Sequence, residues 1–415
     1  MRSGRLWQRL LGLERTVVEG VEFDEDADAV VVSVRPRKGA RQRCGRCGRR
    51  APWYDRGHGR RRWRALDLGT IITLLEADAP RVGCPEHGPT VVQVPWARHG
   101  AGHTRAFDDQ VAWLATHTSK TAVVELMRVA WRTVGAIITR VVADARAAVD
   151  PFDGLRRIGI DEISYKRGYK FLTVVVDHDS GRLVWAAPGK ERATLEAFFA
   201  LLGDQRCQAI SLVSADGAEY IANVVAETCP NATVCADPFH VVSWATKALD
   251  EVRREVWNQA RRHGGDTAGA KTLQRCRYAL WKNPENLTDR QRGKLAWVAK
   301  TNERLYRAYL LKEELRLVFH LPGEEAKRLL RHWLAWASRC RIPAFVALAA
   351  KLRTHLASIH AALDHRLSNA LVESTNTKLR LLTRMAFGFK SPEALIALAL
   401  LDRGGYCPPL PGRTA

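Results

Sequence analysis

Three acidic residues follow short runs of apolar, β-branched residues in this 415-residue chain. Asp161 follows Ile158-Gly159-Ile160, Asp216 follows Ala209 to Ala215, and Asp237 follows Thr233 to Ala236. A carboxylate at the end of a buried strand must be solvated, paired or bound to a metal, because burying it bare is costly. One such residue alone reads as a cap on the next turn. Three from distant positions can be collected at one sheet edge, where hard carboxylate oxygens suit divalent cations. A fourth acid, Glu373, sits in Ser368-Asn369-Ala370-Leu371-Val372-Glu373-Ser374-Thr375-Asn376. This stretch continues as a helix through Arg380, and Glu373, Asn376 and Arg380 share roughly one face. An ordinary surface pair between Glu373 and a downstream cation fits the same spacing.

A second constellation lies near the N-terminus. Cys44-Gly45-Arg46-Cys47 and Cys84-Pro85-Glu86-His87 are two pairs with two residues between members. On facing turns, Cys44, Cys47, Cys84 and His87 supply the four ligands of a tetrahedral zinc ion. Gly48 and Gly88 let each turn fold back. The competing reading is two unrelated turns with a stray His. The other six cysteines are scattered, as expected of buried thiols in a reducing compartment.

The elements that must position these residues follow from periodicity. Ile158 to Ile160, Phe171 to Val176 and Leu183 to Ala187 read as three successive strands, with Asp179-Ser180-Gly181 as turn chemistry. Thr194 to Leu202 reads as a helix, Ala209 to Val213 as a strand, Ala218 to Thr228 as a helix, and Thr233 to Ala236 as a strand. A meander feeding alternating helices and strands is the RNase H-like layout. From Val241 to His365 the pattern is helical and basic, with a capping box at Thr288-Asp289-Arg290-Gln291.

Upstream, Ala106 to Ala147 is helical, broken near His117-Thr118-Ser119. Arg128, Arg132 and Arg140 lie among its apolar positions. A helix-turn-helix that enters a major groove and a plain helical bundle both fit. Arg35 to Arg64 holds thirteen Arg or Lys and one acid, Asp55. Trp53, Trp63 and Trp96 read as packing residues of this module, with base stacking as the alternative. Lys plus Arg number 65 against 44 Asp plus Glu, a net charge of +21. A surplus of that size points to a polyanion, nucleic acid first. There is no apolar run of 18 residues and no signal-peptide core after Met1, so the expectation is a cytoplasmic protein without a membrane span.

Taken together, these stretches resemble the ISL3 family of bacterial insertion-sequence transposases over nearly the whole chain. The resemblance rests on Ile160-Asp161-Glu162, Ser214-Ala215-Asp216-Gly217, Asp237-Pro238-Phe239-His240 and Ser368 to Asn376. Ala386 to Ala394, Cys84 to Pro89 and Val94 to Arg98 also fit. It implies an α/β multi-domain protein: a zinc-binding N-terminal domain (1–98), a helix-turn-helix (99–150), and an RNase H-like core in two parts (151–240 and 366–406). An all-α insertion (241–365) interrupts the core, and a short disordered tail (407–415) follows.

It further implies a DDE triad, Asp161, Asp216 and Glu373, binding two Mg²⁺ or Mn²⁺ ions for DNA strand cleavage and transfer, beside one structural Zn²⁺. Asp237, His240, Asn376 and Arg380 take supporting roles, although Asp237 competes with Asp216 as the second ligand. The expected partners are the element's terminal repeats and target DNA, bound by a homodimer or higher oligomer at the bacterial nucleoid. Two other functions compete: a non-enzymatic zinc and helix-turn-helix regulator, and an RNase H-like nuclease or resolvase.

Overall fold

The computed structural model describes residues 3–216, 218–262, 267–386, 388–389 and 391–413. Gly217, Phe387 and Lys390, which belong to motifs named above, lie outside the described residues. The chain divides into two compact units, Met1–Pro151 with Leu379–Ala415, and Phe152–Lys378.

The first unit opens with α1 (Ser3–Leu10), β1 (Thr16–Asp24) and β2 (Ala29–Pro36). There follow β3 (Trp53–Asp55), β4 (Arg60–Arg64), β5 (Ile72–Asp78), β6 (Arg81–Cys84) and β7 (Gly88–Val91). They form a four-stranded sheet, β1-β2-β5-β4, and a three-stranded one, β3-β6-β7. Val32, Val34 and Leu75 alternate inward and meet Trp63 and Trp96, whose rings pack edge to face at 5.5 Å. Trp53 differs from the other two tryptophans: it is 53% exposed.

Three helices come next, α2 (Arg105–His117), α3 (Lys120–Met127) and α4 (Trp131–Ala148). Thr104 and Ser119 cap α2 and α3 through their side chains. Of the three arginines that lie among the apolar positions of these helices, two serve the fold. Arg140 pairs with fully buried Asp108, and Arg128 with Asp67. Arg132 is exposed. Cys407 is half-buried, its Sγ 3.6 Å from Thr116 Oγ1, so the expected disordered tail is at its start packed against α2.

The second unit begins with the strands β8 (Arg157–Lys166), β9 (Lys170–Asp177) and β10 (Leu183–Pro188) and the helices α5 (Arg192–Leu202) and α6 (Asp204–Ala209). It continues with β11 (Leu212–Ala215), α7 (Glu219–Thr228) and β12 (Thr233–Ala236). The sheet order is β10-β9-β8-β11-β12. The meander β8-β9-β10 is antiparallel, while β11 runs parallel to both β8 and β12. Ile158 and Ile160 of β8 join Leu195 and Phe198 of α5 and Ile221 and Val224 of α7 in one core.

Eight helices follow: α8 (Pro238–Arg262), α9 (Thr267–Arg275), α10 (Arg277–Trp281), α11 (Asp289–Thr301), α12 (Glu303–Val318), α13 (Gly323–Arg339), α14 (Pro343–Thr354) and α15 (Leu356–His365). They share a core around fully buried Trp333 and Phe345, and the Thr288 capping box starts α11. Two more helices, α16 (Ala370–Met385) and α17 (Pro392–Arg403), complete the chain. Within the first unit, α17 packs on α2 and α4.

Asp161 is not at a strand end, as its sequence context suggested. It lies midway along β8, because β9 keeps pairing with β8 as far as Lys166. The parallel neighbour β11 pairs only with Arg157 to Gly159. Asp161 therefore emerges just past the end of β11.

Gly159, on the same face of β8 as Asp161, receives α16. A Cβ there would lie 2.3 Å from Val372 Cγ2 and 2.8 Å from His178 Nε2. Gly159→Ala should therefore lower stability by about 1–3 kcal/mol through overpacking. Adding Val372→Ala should restore part of the loss in denaturant titration. A neutral Gly159→Ala would contradict this close approach.

Candidate active site and metal centre

Four acidic or imidazole side chains meet where β11 and β12 end beside β8. Asp161 is buried enough to push its carboxyl up to about 6; burial is the main cause, and the negative charges of Asp216 and Asp237 add to it. The backbone N–H of Glu162 and the charge of His240 oppose this rise. Asp161 Oδ1 accepts from the Glu162 amide at 2.7 Å, and Oδ2 accepts from Asn376 Nδ2 at 2.7 Å. Asp216, half-buried in the turn after β11, accepts the Ala218 amide at 3.0 Å.

Asp237 is almost wholly buried. Its Oδ1 accepts the amides of Phe239, at the start of α8, and Asn369, just before α16. It thus joins the beginnings of two helices. Asn369 also accepts from Ser214 Oγ, which sits 2.7 Å from His178 Nε2. This buried chain of polar groups, with the Asn376–Asp161 bond, ties α16 to the sheet.

Glu373 is half-buried on α16, one turn before Asn376, and its amide bonds Asn369 O at 2.8 Å. Residues three apart on a helix are neighbours, so the Asn376 bond turns that flank of α16 toward β8. Arg380 is exposed further along the helix, beyond the residues that touch the sheet.

Sequence reasoning passed over Glu162. It points to the opposite face of β8 from Asp161 and accepts a hydrogen bond from the Tyr220 hydroxyl. Burial, then the Asp216 charge, pushes its carboxyl up to about 7. Its signal was strand parity, since Ile158 and Ile160 on the same face are fully buried. Asn369, Ser214 and His178 were also missed as parts of the site.

In the first unit, Cys44, Cys47, Cys84 and His87 converge, their ligand atoms all within 4.8 Å of one another. Cys47 Sγ lies 3.7 Å from Cys84 Sγ, and Cys84 Sγ lies 3.6 Å from His87 Nδ1. A tetrahedral zinc with bonds of about 2.3 Å to sulfur and about 2.0 Å to nitrogen has edges of about 3.5–3.8 Å, so the donor set fits zinc. Gly48 and Gly88 adopt φ of 71° and 65°, the left-handed turns that bring the pairs together. The His87 ring draws the Cys84 thiol down to about 6, toward the thiolate that binds metal.

Fold and site together define a protein that carries a Cys/His metal-binding cluster, a three-helix module and an acid-lined α/β sheet. Residues 158–399 match the ISL3 transposase domain of the DDE type. Residues 92–142 match the helix-turn-helix domain of transposase family ISL3. Residues 40–87 match the zinc finger of the IS204, IS1001, IS1096 and IS1165 transposases. The whole chain is 62% identical to the transposase for insertion sequence element IS1557 of Mycobacterium tuberculosis, covering 98% of that protein. Over 95% of its length it is 27% identical to the transposase for IS1001 of Bordetella parapertussis, covering 96% of it. The chain belongs to the ISL3 family of insertion-sequence transposases. It is a DNA-binding transposition enzyme, and among the described residues no helix is long and apolar enough to cross a membrane.

The Asp161 environment predicts a pH dependence. Its folded pKa of about 6 exceeds the ordinary 3.8. The folded state thus holds more protons than the unfolded state between these values, and stability falls as pH rises through the window. Asp161→Asn should therefore stabilise the cation-free protein at pH 7.5 by about 1–3 kcal/mol, and hardly at pH 4. Denaturant unfolding in chelator at both pH values checks this; an equal difference at both would contradict it.

Proposed function

We propose that Asp161, Asp216 and Glu373 form the DDE triad of an RNase H-like core, with the helices of residues 241–365 as an insertion. The observation that carries this reading is the Asn376–Asp161 hydrogen bond, which draws the helix of Glu373 onto the strand of Asp161. The donor set fits hard divalent cations, Mg²⁺ or Mn²⁺, and two of them in this reading. Beside Asp161, the buried atoms Asp237 Oδ2 and Asn376 Oδ1 have no hydrogen-bond partner among the described residues. Crowded acids held near Asp161 also favour a compensating positive charge. When bound, such cations stabilise the charge on the attacking and leaving oxygens of an in-line displacement at phosphorus.

Asp216 is the better second ligand. It is half-buried just after β11 and accepts one amide, whereas Asp237 is almost wholly buried and committed to two backbone amides. Asp237 and Asn376 then hold α8 and α16 in place, and His240 moderates the negative charge around Asp161. Arg380, exposed on α16, meets a DNA phosphate in this reading. Water attacks phosphorus in cleavage and frees a 3′-hydroxyl. That hydroxyl attacks a target phosphate in joining. One structural Zn²⁺ in the Cys44, Cys47, Cys84 and His87 cluster orders the module that helps recognise the element's terminal repeats. Exposed Arg132, in the first turn of α4, enters a major groove in this reading. The active assembly is a homodimer or larger on DNA, in the bacterial cytoplasm at the nucleoid.

Asp161→Asn, Asp216→Asn or Glu373→Gln should each abolish cleavage and joining of element-end DNA in Mg²⁺, while end binding in a gel-shift assay persists. Each change keeps the side chain's shape and removes a ligand charge. Undiminished cleavage by Asp216→Asn would move the second ligand to Asp237. Undiminished cleavage by Asp161→Asn would overturn the whole reading.

A further inference from the structure

The β8–β9 hairpin ends in Lys166-Arg167-Gly168-Tyr169-Lys170, and all five residues are exposed. Tyr169 is 89% exposed, with a φ of 59°. A bulky side chain in the left-handed region is uncommon, and Gly or Asn is the ordinary choice in such a turn. Lys166 and Lys170 face each other in register, with Arg167 between them. Like charges directly opposite destabilise a strand pair. Among the described residues none of the three cations is in an ion pair. Two local costs thus coincide at one tip: cations that repel one another, and an aromatic ring held out on a strained turn. A polyanion bearing flat rings offsets both, since phosphates neutralise the cations and nucleobases or sugars stack on the phenol.

The tip lies on the same strand as Asp161, five residues further on, or about 17 Å at about 3.4 Å per residue. Phosphates along one DNA strand are also about 3.4 Å apart along the helix axis. We propose that this hairpin tip grips DNA about five nucleotides from the phosphate to be cut, and so sets which phosphate lies over Asp161. The proposal rests on Asp161 being the cleavage residue.

The test uses the full-length protein, element-end duplex and Mg²⁺. It compares wild type, Lys166→Ser with Arg167→Ser and Lys170→Ser, and Tyr169→Gly. Glycine removes the ring but suits the turn better than tyrosine, so a folding defect is not expected of it. Hydroxyl-radical footprinting should show weaker protection near the fifth nucleotide from the cut in both variants. The triple variant should flatten the dependence of log affinity on log salt by about 0.9 for each phosphate it no longer neutralises. Cuts should spread from one phosphate to its neighbours. Footprint, salt slope and cut position all unchanged, or weaker protection only elsewhere, would overturn the grip. If wild type binds but does not cut, the assignment of Asp161 fails, while the footprint and salt slope still decide whether the tip holds DNA.

Discussion

One missing Cβ determines how closely α16 approaches the sheet. Gly159 leaves room for Val372, and no larger residue fits there without displacement. That close approach brings Asn369 and Asn376 within hydrogen-bonding distance of groups on β8 and β11 and of Asp237, just after β12. Ser214, Asn369 and Asn376 are nearly or wholly buried, so breaking the Ser214–Asn369 or the Asn376–Asp161 hydrogen bond would cost a full desolvation penalty. The packing is therefore cooperative: the helix sits at one depth and one rotation, or the polar groups forfeit their partners. Glu373, three residues before Asn376 and four after Asn369, lies on the same flank of α16 as these two by helical spacing.

The resulting site is at odds with itself electrostatically. The chain carries a net charge of +21, which attracts DNA from a distance. Yet Asp161, Asp216 and Asp237 gather where β11 and β12 end, with Glu162 on the other face of β8, and burial pushes Asp161 and Glu162 toward neutrality. A phosphodiester meets repulsion there unless positive charge intervenes. In the proposed reading, attraction by the surface and repulsion by these acids make chemistry, unlike binding to DNA, conditional on bound cations.

The meander and the alternating helices and strands were legible because apolar period and turn chemistry are local. So was the zinc cluster, whose ligand pairs are set by two short turns. Asp161's place was not, because a strand ends where its partners stop pairing, and β9 pairs further along β8 than β11 does. Helix α6 was missed because six residues hold too little periodicity to read. The roles of Arg128 and Arg140 were left open between groove and bundle, because their carboxylate partners Asp67 and Asp108 lie 61 and 32 positions away. Trp53, Trp63 and Trp96 looked alike in sequence, and only the sheet register separates the exposed ring from the two buried ones. Glu162 shows the same limit: its depth depends on α7, which no local pattern places over β8.

The central claim is that the polar seam between α16 and the sheet builds the cation site. The most direct test is Mn²⁺ binding by electron paramagnetic resonance to the wild type and to Asn369→Ala, a change that leaves Asp161, Asp216 and Glu373 intact. Because outer groups that orient ligands govern affinity, Asn369→Ala should weaken Mn²⁺ binding by about 10–100-fold while the protein stays folded by circular dichroism. Unchanged Mn²⁺ affinity in a folded Asn369→Ala protein would contradict the claim.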